Sequence, residues 1–119
     1  MTNTSERKFV VFFMIPAATM DAWSNTDPAI KAASEADLKA QITKWTAEHA
    51  SRILSSEAAG KTKQITSNRI SDIRNDIVMF SIVAGTSHDD VTALFKSHPH
   101  LQIPNASIQV MELRTIDWS

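Results

Sequence analysis

Two stretches of this chain are apolar at odd and even positions alike. The first, Phe9-Val10-Val11-Phe12-Phe13-Met14-Ile15, stops at Pro16; the second, Ile77-Val78-Met79-Phe80-Ser81-Ile82-Val83-Ala84, stops at Gly85. β-Branched and aromatic residues at both parities predict strands buried on both faces, hence interior to a sheet. Two further segments are mixed. Thr62 to Ile70 places Ile65 and Ile70 among Thr, Gln, Ser and Lys and predicts a polar edge strand, with Lys61 and Lys63 solvated against strand addition. Ser107 to Leu113 alternates, with Ile108 and Val110 on one side and Gln109, Met111 and Leu113 on the other, and predicts a half-exposed edge strand. Between these, Ile53-Leu54 either ends a helix or opens a strand, Ala58-Ala59-Gly60 reads as a break, and Ser71 to Asp76 as a turn region.

Helical spacing appears twice. Ser34-Glu35-Ala36-Asp37 has the form of a capping box, and Leu38, Ile42, Trp45 and His49 then recur on one stripe, with Lys39, Lys44 and Glu48 opposite. This predicts a helix over about residues 35–50, after a long Ala-rich connection (16–33) in which Asp27-Pro28 is a second candidate start. Ser87-His88-Asp89-Asp90 forms another start with acid in its first turn; Val91, Leu94, Phe95 and His98 share a face, and Pro99 closes the helix.

The resulting order, β-α-β-β-α-β, is that of a ferredoxin-like α+β domain with a four-stranded antiparallel sheet, over residues 8–119 after a flexible tail at 1–7. Two helices cover one sheet face only. Strands apolar at both parities would leave the other face as an exposed apolar patch, which soluble monomers rarely carry. A second copy is the simplest cover, giving a dimeric α+β barrel with a homodimer contact through the sheet face.

Composition narrows the chemistry. The chain has 119 residues, enough for one domain, with 43% hydrophobic and 21% charged residues. A net charge of -1 without a basic stripe argues against nucleic acid as a partner. The absence of cysteine excludes disulfides, thiol catalysis and thiolate metal sites. No apolar run approaches the ~20 residues of a membrane helix, and no leader pattern opens the chain, so a cytoplasmic protein without membrane contact is expected.

Ser97-His98-Pro99-His100-Leu101, followed by Ala106-Ser107-Ile108-Gln109-Val110-Met111-Glu112-Leu113, resembles the C-terminal signature of YCII-related proteins, a family of the dimeric α+β barrel superfamily. The resemblance spans about residues 8–114 and implies a ferredoxin-like homodimer. The sequence departs from the family in three places. Residues 68–76 lack the Asp-Gly-Pro-Phe segment of many relatives. No histidine precedes His49, so the family's His–Asp pair has no counterpart. Ser51 stands where short relatives often have glycine.

Five residues are candidates for a site. His98, expected at the C-terminal end of the second helix, feels the helix dipole, which favours imidazolium, and apolar neighbours, which favour the neutral ring; it is the candidate acid–base residue, with a helix cap as its structural alternative. His49, Trp45, His100 and Trp23 are candidate ligand contacts: the tryptophans offer flat stacking walls, and core or rim packing is the structural alternative for His49 and Trp45. His98-x-His100 supplies two metal ligands where three or four are needed, so no metal site is expected, and no cofactor motif is present. The leading reading is a homodimer that binds a small apolar or aromatic compound between sheet and helices, with cofactor-free acid–base chemistry left open. A non-catalytic assembly or regulatory module and, by family analogy, a cofactor-independent monooxygenase are the alternatives.

Overall fold

A computed structural model describes residues 6–118. The chain is mixed α+β, with strands β1 (Arg7–Met14), β2 (Ile53–Ala58), β3 (Thr62–Ile65), β4 (Ile70–Ile73), β5 (Ile77–Gly85) and β6 (Ser107–Glu112). Its helices are α1 (Ala17–Ser24), α2 (Pro28–Glu48) and α3 (His88–Phe95), with a 3-10 turn at Pro99–Gln102. Of the expected tail, residues 1–5 lie outside the described residues, and Arg7 already opens β1.

Four strands form one antiparallel sheet in the order β2-β5-β1-β6. The two runs that are apolar at both parities, β1 and β5, are its inner strands. Phe9, Val11 and Phe13 stand opposite Val83, Ser81 and Met79 on β5 and Glu112, Val110 and Ile108 on β6. Phe9, Val11, Phe13 and Val83 join Trp45 of α2 and Val91 and Phe95 of α3 in the core. The alternate residues Val10, Phe12, Phe80 and Ile82 point the other way. The molecule is 19 Å across its thinnest axis, the depth of a sheet carrying one layer of helices.

Three expectations about elements are corrected. The segment 16–33 is not a plain connection: α1 follows Pro16, and α2 begins at Pro28 rather than near Glu35. Asp27 caps that earlier start, its carboxylate accepting from the Ile30 amide at 3.3 Å, and Pro28 occupies the first turn, where a missing N–H costs nothing. Ser34 to Asp37 thus lies inside α2, where the amides are already bonded within the helix, and cannot act as a cap. The second strand of the sheet is Ile53–Ala58, whereas Thr62–Ile65 pairs with Ile70–Ile73 in a separate two-stranded arm. The turn of that arm is at 66–69, where the Thr66 amide donates to the Arg69 carbonyl at 2.9 Å; residues 71–73, expected as turn, are strand together with Ile70.

Candidate functional site

The stripe on α2 forms as its spacing predicts: Trp45 is buried, Leu38, Ile42 and His49 are half-buried, and the lysines and Glu48 are exposed. Trp45 reaches the Phe13 end of β1, where α3 ends and the chain turns through His98-Pro99-His100. Ser87 starts α3 by accepting from the Asp90 amide at 3.0 Å. The Asp90 carboxylate does not close a capping box on Ser87. It accepts from the Thr86 amide and pairs with Arg52, tying the start of β2 to the start of α3, and these donors, the Thr86 amide first, lower its pKa.

His98 is 3% exposed and His100 4%. The His98 ring lies 4.5 Å from the Trp45 ring, 4.9 Å from Phe13 and 5.9 Å from Phe95, stacked on the last. It does not cap the carbonyls of α3, which ends three residues earlier at Phe95. Instead its Nδ1 accepts from the His100 backbone amide at 3.0 Å and caps the 3-10 turn. The expected competition between dipole and burial is therefore won by burial. Desolvation, then the neighbouring His100 and His49, push the His98 pKa down to about 4, so the ring is neutral at pH 7.

The other candidates divide between two places. The His49 ring packs tilted against Trp45 at 4.2 Å and donates through Nδ1 to the Trp45 carbonyl at 2.7 Å, closing the last turn of α2. His100 donates from Nε2 to the Met14 carbonyl at 3.0 Å, fastening the 3-10 turn to β1; burial lowers its pKa, and the Met14 and Ser107 carbonyls partly oppose that. Trp45, His49, His98 and His100 thus form one cluster. Trp23 is not part of it. Its indole donates to Glu35 at 3.1 Å, and it lines a wide cleft of about 880 Å³ between α1, the first half of α2 and the loop after Gln102.

A smaller cavity of about 100 Å³ adjoins the cluster, walled by Phe13, Ile42, Trp45, Phe95 and His98, with Thr46, Ser56 and Ser81 among the polar residues. Ser56 and Ser81 face each other across β2 and β5 with their hydroxyl oxygens 2.7 Å apart. Sequence reading passed over both serines: Ser81 interrupts an apolar run, which is a signal, but its partner belongs to a strand whose position was unresolved. Among the described residues no three His, Asp or Glu side chains converge as a metal site would require. No helix of the described residues is long and apolar enough to cross a membrane. No protein-family model matches the chain, and a search of curated proteins finds no match.

Proposed function

We propose that the chain is a ferredoxin-like domain related to the YCII proteins, that two copies pack through the helix-free sheet face, and that each binds a small, largely apolar molecule between the sheet and α2. The strand order β2-β5-β1-β6, with its inner strands apolar on both faces, supports the first two parts. The binding reading rests on one observation: a buried histidine and a buried tryptophan wall a cavity that also holds a hydroxyl pair. A purely structural core would fill such a space with methyl groups, because packed interiors leave few voids larger than a water molecule. A neutral His98 fits binding and hydrogen-bond donation; it is a weak base at pH 7, so proton abstraction by this residue is disfavoured.

The test is a thermal-shift screen of the full chain with small apolar and flat aromatic compounds. A stabilising compound should lose its effect in a Trp45→Leu variant that still folds. A screen in which nothing stabilises the wild type would return the protein to the class of assembly modules.

A further inference from the structure

The small cavity carries information about what it receives. None of its lining residues is Lys, Arg, Asp or Glu. A charged ligand group there would lose its hydration and meet no counter-charge, a cost that apolar walls do not offset. The volume of about 100 Å³ equals roughly three waters at ~30 Å³ each, or a group of a few heavy atoms.

The hydrogen-bond pattern fixes which kind of polar atom is wanted. His98 Nδ1 accepts from the His100 amide, so that nitrogen carries a lone pair and the proton of the neutral ring is on Nε2. On the same wall, Trp45 buries its indole N–H without an acceptor. The indole N–H is a donor left unmet in a buried place, which is costly, and the Nε2–H of His98 adds a second donor to this wall. The hydroxyls of Ser56 and Ser81, bonded to each other, can donate or accept.

We infer that the cavity receives the uncharged carbonyl group of a small molecule, whose oxygen accepts a hydrogen bond from His98 Nε2–H. The inference rests on the binding reading above and deepens it. His98 then acts towards the ligand as a donor that polarises a carbonyl, and the tautomer set by the His100 amide is what gives it that role. Burial keeps the ring neutral over the physiological range, so the donor is an imidazole N–H and not an imidazolium.

Three probes of four heavy atoms each and nearly the same shape separate the contributions: acetone carries a neutral acceptor, acetate a charged one, isobutene none. Each is titrated into the full chain labelled with 15N-histidine, with the His98 ring nitrogens followed by NMR. The expected result is a protonated Nε2 in the free protein, saturable binding of acetone that shifts this resonance, and weaker binding of acetate and isobutene. His98→Asn keeps an acceptor for the His100 amide but removes the reaching donor. It should weaken acetone by roughly threefold to tenfold, the worth of one hydrogen bond, and leave isobutene unchanged. His98→Gln, whose amide N–H extends further, should recover part of the loss. A proton on Nδ1 overturns the inference at once, without touching the binding reading. Isobutene binding as tightly as acetone, or acetate binding more tightly, overturns it while leaving a real pocket. Failure of all three to bind removes the inference and the pocket together. If the Asn variant does not fold, the tautomer and the ranking of the three probes on the wild type still decide.

Discussion

His98 spends its polar groups unevenly: Nδ1 holds the turn that begins at Pro99, and the rest of the ring is packed among Trp45, Phe13 and Phe95. Its charged form is therefore disfavoured in the folded state, and the sign of the pH effect follows. The unfolded ring titrates near 6.5 and the folded one near 4. The unfolded chain binds the extra proton first, so the contribution of His98 to stability is intact above about pH 6.5 and is lost as the pH falls towards 4. At about 1.4 kcal/mol per pKa unit the loss is roughly 3 kcal/mol. Urea titrations at pH 7.5 and 4.5 should show the wild type much weaker at the lower pH and His98→Asn less affected; equal losses in both would contradict the buried neutral ring. Trp45, 7% exposed and touching His49, His98 and Phe95, is the other residue on which the cluster depends. Trp45→Ala should cost about 3–5 kcal/mol, and Trp23→Ala much less, because Trp23 is half-buried on an open cleft. Similar small losses for both would mean that Trp45 is not a core residue.

At the scale of elements, tightness is concentrated where β5 runs into α3. Gly85 ends β5 against that helix: a Cβ there would overlap the buried Val91 side chain and come within 3.0 Å of both Arg52 Nη2 and Asp90 Oδ2. Gly85→Ala should therefore destabilise by about 1–3 kcal/mol through overpacking, read from the midpoint of chemical denaturation, whereas Gly60→Ala, with open space around its Cβ, should be nearly neutral. The same contrast explains what could be read from sequence. β1, β5, α3 and the α2 stripe each bury a face, and burial imposes a period on the residues. The first half of α2, α1 and the β3–β4 arm bury almost nothing, so no period marks them; Ile65 and Ile70 are largely exposed. For α2, a genuine cap at Asp27 competed with a capping pattern at Ser34, and the apolar stripe beginning at Leu38 favoured the wrong one. The site was half legible. Its aromatic and histidine members lie on readable elements, but the meeting of Ser56 with Ser81 depends on strand pairing, and the tautomer of His98 depends on a turn that no residue pattern specifies.

The whole molecule is spread more widely than its length requires. Its Cα radius of gyration is 16.9 Å, against about 13–14 Å for a compact chain of this size. Its principal axes extend over 54, 46 and 19 Å, the proportions of a slab. One side of that slab is helix-covered. The other presents the half-buried Phe12, Phe80 and Ile82 from the two inner strands, around an already buried Val10, and the half-exposed Met111 from β6. A second slab laid on this face would bring two sheets to ~10 Å, the spacing at which inner side chains interdigitate, and a contact of about 800 Å² per partner is enough for a stable pair. The expected species at micromolar concentration is thus a dimer by sedimentation velocity. Phe80→Glu tests the face itself. Phe80 is outside the Trp45–His98 cluster, so the variant should keep its near-UV signal and its His98 resonances while sedimenting as a monomer, because each protomer would bring an unpaired carboxylate into the contact. A wild type that sediments as a monomer would remove the barrel. A Phe80→Glu variant that remains a dimer would show that the chain associates through another surface, the exposed β3–β4 arm being the next to probe.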